Sequence, residues 1–270
     1  MSRLFVGGSL ALGLTCVASA AQRGQPSPAL TPSTAAGRQT ARTVPFAAGE
    51  TLMYDVSWSS YLTAGTATLK VMEKKPSYGS DAYYIVAEGR PTPLLSKLYD
   101  LYYKADTLLD VYALLPQRAS LYSQEGKRRR MKVTMFDHAA KKAQYEVQTR
   151  TVEKKDLAIA PTTQDPLSAI YMLRTIALKA GDKFVVPVAN GGETYDVQFQ
   201  IAGVERVKTA IGDLRAWKIT PVLPSGNASG ARRLTLWLSD DARRVPVLLQ
   251  AQLAVGSFDL TLTQVAARVQ

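Results

Sequence analysis

Residues 195–201 read Tyr-Asp-Val-Gln-Phe-Gln-Ile, and this stretch decides the fold class. Apolar residues occupy every second position, and polar residues occupy the positions between them. Successive side chains of a β-strand point to opposite faces of a sheet, so strict alternation indicates a strand with one buried face. The stretch therefore predicts a half-buried strand.

The same pattern recurs along most of the chain after Phe46. Further runs rich in alternating or β-forming residues lie at 52–58, 67–71, 83–86, 101–104, 131–135, 143–147, 234–238, 245–253 and 258–262. Clusters of turn residues lie between them at 76–79, 190–192 and 224–227. Many strands with regular turns predict a mainly β protein that forms a large antiparallel β-barrel or half-barrel.

One segment departs from this pattern and predicts a single internal α-helix at about 165–179. Asp165 suits the N-cap position, Pro166 suits the first helical position, and Gly181 suits a C-terminal cap. The segment 93–99 is a weaker candidate for a short helix or turn. We expect the apolar face of the long helix to pack in the mouth or lumen of the curved sheet. The chain could also consist of two similar halves joined near this helix.

The N-terminus predicts a cleaved signal peptide at 1–20. Arg3 is followed by an apolar run to Val17, and Ala18-Ser19-Ala20 fits a small-x-small cleavage site. The run is shorter than the ~20 apolar residues of a transmembrane helix. We therefore expect export to the periplasm, with no transmembrane segment in the mature chain.

Soluble export is favoured over a lipid anchor at Cys16. A lipoprotein signal usually has an aliphatic residue three positions before the Cys and a small residue directly before it, where this chain has Gly13 and Thr15. Residues 21–44 are rich in Pro, Ser, Thr, Ala and Gly, so they predict a disordered linker. Residues 45–270 then form a single domain.

The positive charge is concentrated in a short part of the domain. The chain has 33 Lys and Arg against 22 Asp and Glu, and residues 127–155 alone contain ten basic and three acidic residues. The candidate contacts with an anionic surface are Lys127, Arg128, Arg129, Arg130 and Lys132. Their partner would be a lipid or another anionic amphiphile, although charged side chains that protect sheet edges explain the same pattern. The export signal and the lack of a nucleic-acid motif predict no nucleic-acid partner.

The residue counts exclude several kinds of chemistry. One Cys and one His, His138, exclude a disulfide framework, a Cys-rich zinc site and a His-cluster metal site. His138 lies in a predicted hairpin turn, and its neighbour Asp137 would point to the opposite face if the two lay on a strand. The chain contains no nucleotide-binding, nucleophile-elbow or metalloprotease motif. We expect no cofactor, no metal and no catalytic residue.

Aromatic residues supply candidates for a ligand cavity. They carry large apolar rings, and Tyr and Trp also keep a polar tip available. The candidates are Tyr54, Trp58, Tyr83, Tyr103 and Trp237. Ordinary packing of the core explains the same residues.

Three stretches of the sequence carry recognisable motif residues. The first, 46–67, contains Gly49 and Gly65; the second, 165–174, contains Asp165, Pro166 and Arg174; the third, 237–247, contains Asp240 and Asp241. Together they resemble a family of exported bacterial proteins of unknown function, DUF3108. The resemblance implies export and a mostly antiparallel β domain, and it supplies no catalytic residues.

The motif residues have physical interpretations of their own. Gly49 and Gly65 indicate a turn and a bulge or close approach. We expect Arg174 to pair with a carboxylate such as Asp240 or Asp241.

The sequence favours a non-enzymatic binding or carrier module for an apolar or amphiphilic ligand of the cell envelope. Two alternatives stay open. One is a structural or assembly factor of the envelope that acts through protein contacts. The other is a hydrolase of envelope material, for which the sequence gives no positive sign.

Overall fold

The computed structural model describes residues 40–59, 62–98, 100–224, 231–253 and 256–266. The predicted signal peptide, the predicted linker up to residue 39, the turn residues 225–227 and Tyr99 lie outside this range. The end of the predicted linker, 40–44, contacts the domain. There the Arg42 backbone N–H donates to the Val111 carbonyl over 3.1 Å, and Val44 packs against the core.

The described residues form a sheet and two helices. The first half contains β1 (Thr51–Trp58), β2 (Leu62–Ser77), β3 (Ser80–Pro91), α1 (Pro93–Leu98), β4 (Leu101–Asp110), β5 (Pro116–Glu125), β6 (Arg128–Asp137), β7 (Lys142–Gln148) and β8 (Val152–Ala158). The second half contains α2 (Pro166–Thr175), β9 (Lys183–Asn190), β10 (Glu193–Thr209), β11 (Gly212–Val222), β12 (Arg233–Ser239), β13 (Pro246–Leu253) and β14 (Gly256–Ala266).

The strands make two antiparallel meanders that share one sheet. The order is β8-β7-β6-β5-β4-β3-β2-β1-β14-β13-β12-β11-β10-β9, so β1 and β14 join the meanders at the centre. The chain passes from one outer edge, β8, to the other, β9, through α2. The predicted large antiparallel sheet with a helix inside is confirmed, and within the described residues its hydrogen-bond ladder does not close into a complete barrel.

The two outer edges nevertheless come close together. Gln164, just before α2, forms a parallel bridge with Val188 of β9. Gly192, in the β9–β10 turn, has a φ of 83°, and a Cβ there would lie 2.9 Å from the ring of Tyr145 on β7. A side chain at Gly192 would therefore be strained and would also meet this ring. The bridge and the contact bring the second meander against the first, so the sheet curls around α2.

Helix α2 begins where the sequence predicts and ends earlier. Asp165 is the N-cap, its Oδ1 accepts from the Leu167 and Ser168 N–H groups, and Pro166 follows it. The helix ends at Thr175, since Ile176 has extended backbone dihedral angles. Gly181 instead serves the turn before β9, where its N–H donates to the Ile201 carbonyl over 2.8 Å. The second predicted helix, α1, covers Pro93–Leu98.

The strand connections lie at the two opposite ends of the sheet. We call the end that carries the β1–β2, β5–β6 and β9–β10 connections the rim, and the opposite end the base. At the base, Phe46 packs edge-on against Tyr171 of α2 with ring centroids 4.7 Å apart, beside buried Val71 and Leu109. The core is therefore tightly filled at the base, below the last turn of α2.

Candidate functional site

Helix α2 forms the floor of a cleft inside the curved sheet. Its Tyr171, Leu173 and Arg174 are buried toward the base, whereas Ile170 is only half-buried. Ile170 lines three cavities that surround this side of the helix. The inner faces of both meanders supply the walls of these cavities.

Two of the three cavities are almost entirely apolar. The first, of about 250 Å³, is lined by Tyr54, Tyr103, Leu121, Leu248 and Leu260, among others, and we call it the central cavity. The second, of about 190 Å³, lies between α2 and the second meander, and we call it the side cavity. Its lining includes Leu173, Val188, Val197, Phe199 and Leu236. These walls suit hydrocarbon and offer few partners to a polar solute.

The third cavity is larger and carries polar groups. It has a volume of about 430 Å³ and lies between α2, strands β4–β7 and the β9–β10 turn, and we call it the polar cavity. Lys132, Thr134, Tyr145 and Asn190 line it together with apolar residues such as Leu121. An apolar ligand with a polar end would therefore find both kinds of surface inside the sheet.

A buried ion pair fixes the floor helix. The Nη1 and Nη2 atoms of Arg174 donate to the two carboxylate oxygens of Glu50 over 2.7 and 2.8 Å, in a bidentate pair. Nη2 also donates to the Arg243 carbonyl over 3.1 Å. Burial would lower the pKa of Arg174, but the hydrogen bonds and charge of Glu50 raise it overall, so the guanidinium stays charged.

The N-cap of α2 is tied to the wall of the sheet. Oδ2 of Asp165 accepts a hydrogen bond from the Thr107 hydroxyl of β4 over 2.8 Å. Burial raises the pKa of Asp165, although four hydrogen bonds, from Ser168, Thr107 and the Leu167 and Ser168 amides, oppose the shift. The helix is therefore held at both ends by buried polar contacts, and Ile170 lies between them.

The structure brings two of the five predicted cavity residues together. Tyr54 and Tyr103 line the central cavity, and the Tyr54 hydroxyl donates to the Pro246 carbonyl over 2.9 Å. Tyr83 instead packs against Phe46 in the base core, and Trp58 is 43% exposed at the rim. Trp237 is buried, and its Nε1 donates to Glu205 over 2.6 Å. Of these three residues, Tyr83 and Trp237 are therefore packed in the protein, and Trp58 is exposed at the rim.

The predicted basic residues separate into two groups. Lys127, Arg128, Arg129 and Arg130 are exposed at the rim, where they line a broad depression of about 830 Å³ together with Arg150. Lys132 is half-buried and lines the polar cavity. Within the described residues, the salt bridges include none of these six side chains.

Arg174 pairs with Glu50 rather than with Asp240 or Asp241. Asp240 accepts hydrogen bonds from Arg215 and from the Trp217 indole, and Asp241 accepts from Ser239 and Arg243. These two carboxylates hold the β12–β13 turn in the shape that presents the Arg243 carbonyl to Arg174. The ion pair and this carbonyl bring the three family-like stretches together at one point.

The two motif glycines lie close to neighbouring strands. Gly49 precedes β1 with a φ of 93°, and its N–H donates to the Val71 carbonyl over 2.7 Å. A Cβ on Gly65 would lie 2.2 Å from the Arg90 carbonyl oxygen, and β1 and β2 change register beside it. Backbone from β3 therefore occupies the space that a larger residue would need.

His138 contributes to packing at the base. Its ring stacks on Phe136 with centroids 5.6 Å apart, and its Nε2 lies 2.8 Å from the Pro116 carbonyl. Among the described residues, no group of three or more His, Cys, Asp or Glu side chains could hold a metal ion. No helix in the same ranges is long and apolar enough to cross a membrane.

The sequence did not identify the residues that form the floor and the wall of the cleft. Leu167 and Ile170 lie three positions apart on α2 and line the central cavity with Leu121, Leu248 and Leu260. The helical spacing of Leu167 and Ile170 was visible in the sequence. It could not show that one of them faces open space rather than a filled core.

Comparison with known proteins supports the fold and gives no activity. A family model described as "Protein of unknown function (DUF3108)" matches residues 53–263. No curated protein matches the chain. The crystal structure of a β-barrel-like protein of the DUF1849 domain of unknown function from Brucella abortus is 10% identical, covers 82% of this chain and 98% of its own, and has a TM-score of 0.50. It shows the shared fold.

Two further solved structures are more distant. A protein from Bacteroides fragilis assigned as exported, with a YmcC-like fold, is 12% identical over 84% of this chain and all of its own, with a TM-score of 0.32. A protein from Parabacteroides distasonis assigned as a lipoprotein is 8% identical over 83% of this chain and 99% of its own, with a TM-score of 0.33.

Proposed function

Because the chain belongs to the DUF3108 family, which is of unknown function, we propose a function from the geometry of the cleft. The protein is a non-enzymatic binding or carrier module for an apolar or amphiphilic ligand of the cell envelope. The observation that carries this proposal is the convergence of three cavities on Ile170, inside a sheet whose base is filled by the core.

The energetics suit a hydrocarbon ligand. Burying one methylene group contributes about 0.8 kcal/mol, so ten methylenes contribute about 8 kcal/mol. That free energy corresponds to a dissociation constant of about 1 μM before the cost of ordering the ligand is subtracted. An acyl chain in the central and side cavities would therefore bind without strong polar contacts.

The predicted signal peptide supports a function outside the cytoplasm. An exported chain meets lipids and other amphiphiles of the envelope, and a curved sheet with an apolar lining can shield a hydrocarbon chain from water. The protein would thus hold its ligand during storage or transfer, and no chemical step on the ligand is needed.

A cavity-filling variant tests the proposal. Ile170→Trp places an indole in the space shared by the three cavities, and we expect it to abolish uptake of N-phenylnaphthylamine, a neutral apolar dye whose fluorescence rises in apolar surroundings. Ile211→Trp is the matched control, because Ile211 is 46% exposed in the β10–β11 turn at the base. Equal uptake by both variants would contradict a cleft-bound ligand.

Native mass spectrometry of the mature protein gives an independent test. We expect a co-purifying lipid or other amphiphile, released and identified by solvent extraction. A clean apo mass with an intact fold and no uptake of added lipid would favour the alternative of an envelope assembly factor.

The basic residues at the rim are proposed to face the anionic headgroups of a membrane. The same end also exposes Trp58, Leu62 and Leu94, which are 43%, 50% and 72% exposed. Exposed apolar side chains at the same end as Lys and Arg suit the interface of an anionic bilayer, where each cation contributes about 1 kcal/mol. Docking there would bring the cleft to its ligand.

Co-sedimentation with vesicles tests the rim. We expect Arg128→Gln with Arg129→Gln to weaken binding to phosphatidylglycerol vesicles, with little binding of any variant to phosphatidylcholine vesicles. The control is Lys183→Gln with Lys208→Gln, which removes the same charge from exposed positions at the base. Equal weakening by both pairs would show that net charge alone matters.

A further inference from the structure

We propose that the polar cavity binds the anionic headgroup of an amphiphile, that Lys132 holds the headgroup charge, and that the central cavity receives the hydrocarbon chain. This inference rests on the proposed function and specifies its ligand class.

The register of the sheet places Lys132 on the inner face. Lys132 lies opposite Leu121 of β5 and Val147 of β7, and Leu121 in turn lies opposite Ala105 of β4. Ala105, Leu121 and Lys132 all line the polar cavity. Lys132 therefore belongs to the inner surface of the sheet and is half-buried, whereas Lys127, Arg128 and Arg129 are exposed at the rim.

The acidic residues that border this cavity are already engaged. Asp106 accepts hydrogen bonds from Arg118, over 2.9 Å, and from the Ser120 hydroxyl. Asp165 caps α2 and accepts from Thr107. No salt bridge of the described residues includes Lys132. A half-buried cation without a protein anion is costly, and an anionic ligand group would offset that cost.

Further polar groups surround the same space. The Thr134 hydroxyl, the Tyr145 phenol and the Asn190 amide can each donate to an anion, and all three residues line the cavity. Burial and the charge of Glu153 raise the pKa of Tyr145, and the charge of Arg130 acts in the opposite direction. One anion and one cation therefore act on this phenol, and Lys132 is the cation that lines the cavity itself.

The polar and central cavities are adjacent. Ala105, Leu121, Leu167 and Ile170 line both of them, so one molecule can contact both linings. A headgroup beside Lys132 would direct its chain past Leu121 and over the floor helix. This arrangement fits an amphiphile with one charged end better than a free ion or a wholly apolar molecule.

Two probes with the same chain separate the headgroup from the tail. Dodecyl phosphate and dodecanol are titrated by calorimetry below their aggregation limits. We expect the wild-type protein to bind dodecyl phosphate at least tenfold more tightly than dodecanol. Lys132→Gln should remove most of this preference and leave dodecanol binding unchanged, and Lys132→Arg should keep the preference. Lys127→Gln is the control, since it removes an exposed cation from the rim.

Each outcome has one meaning. Equal wild-type affinities, or an equal loss for both probes in Lys132→Gln, would overturn the headgroup site while dodecanol binding still supports the proposed function. Binding of neither probe would contradict the proposed function itself. Displacement of dodecyl phosphate by an equal concentration of inorganic phosphate would overturn the amphiphile in favour of a free-anion site. A thermal melt of each variant establishes that the fold is intact.

Discussion

Arg174 connects distant parts of the chain through one guanidinium group. It is the largest of the fully buried side chains in the described structure, and it contacts the segment before β1, through Glu50, and the β12–β13 turn, through the Arg243 carbonyl. A charged group in such a place is stable only with its partner, because removal of either one leaves an uncompensated charge. The pair therefore fixes where α2 lies.

Arg174→Leu should lower the free energy of unfolding by about 3–5 kcal/mol, because Glu50 would keep a buried charge without a partner. Urea denaturation followed by circular dichroism measures this loss. The double variant Arg174→Leu with Glu50→Gln should recover part of it, since the orphan charge is gone. A double variant as unstable as the single one would show that lost packing, rather than the orphan charge, dominates.

Asp165 makes stability depend on pH. Its folded-state pKa is raised by burial, so the folded protein binds its proton more tightly than the unfolded chain does. Stability from this group is therefore present below the unfolded pKa, near 4, and is lost as the pH rises through the folded pKa. Asp165→Asn, which can still cap the helix, should flatten this part of the pH profile.

The measurement is the free energy of unfolding of both proteins between pH 4 and pH 8. The difference between wild type and Asp165→Asn isolates the contribution of this carboxyl group. Asp165→Ala serves as the comparison, because it removes the cap and should cost about 1–2 kcal/mol throughout the range. If the wild-type protein became more stable relative to Asp165→Asn as the pH rises, the result would contradict the raised pKa of Asp165.

Single residues show how far sequence reasoning reaches. Asp165 was predicted as an N-cap because a cap is a local interaction that depends on the next three residues. The partner of Arg174 was not predicted correctly, because Glu50 lies 124 residues away and several carboxylates were equally available in the sequence. The sequence therefore predicts a local interaction such as the Asp165 cap. It does not predict the Arg174–Glu50 contact, which depends on how the sheet curls.

At the scale of elements, the absence of a side chain at Gly192 allows the β9–β10 hairpin to pack against β7. Gly192→Ala should cost about 1–3 kcal/mol more than Gly79→Ala. Gly79 is a matched control, because its φ of 78° is close to the 83° of Gly192, and a Cβ on Gly79 would meet no atom within 4 Å. Both variants carry the strain of a positive φ, and only Gly192→Ala also meets the ring of Tyr145.

Denaturation of the two variants, alone and with Tyr145→Leu, measures this contact. The difference between the glycine positions should shrink when the ring is removed, because a leucine side chain can move aside. If the difference persists without the ring, the cost belongs to the hairpin itself rather than to its contact with β7.

The strands that the alternation missed have different causes. Strand β8 reads VEKKDLA and has mostly exposed side chains, as suits an edge strand guarded by charge. Strand β9, the other edge, carries Pro187, and β11 carries Pro221. Strand β5 reads PQRASLYSQE, and its small residues Ala119 and Ser120 line the polar cavity instead of packing in a filled core. Alternation is therefore clear only where one face is apolar, the opposite face is polar and no proline interrupts the run.

At the scale of the whole molecule, the cleft depends on how far the two meanders curl. The wall of the central cavity combines β1–β5 with β12–β14, and α2 forms its floor. The sequence predicts which face of each strand is apolar, because that property has period two. It does not predict the volume enclosed, because the volume depends on the distance between faces that lie far apart in the chain. The sequence therefore supports a hypothesis about the ligand class, but it does not predict the cavity lining.

If the proposed function is correct, ligand binding is coupled to the stability of the entire sheet. A ligand that contacts both meanders and α2 binds only the folded chain, so at a hundred times its dissociation constant it should stabilise the protein by about 2.7 kcal/mol. For a domain of this size we expect the melting temperature to rise by about 5–10 °C. Dodecyl phosphate below its aggregation limit is the ligand, and differential scanning calorimetry is the measurement. Ile170→Trp should show no rise, because its indole fills the shared space. A fall in melting temperature for both proteins would mean that the amphiphile binds the unfolded chain instead. That result would contradict the prediction that a ligand in the cleft stabilises the fold.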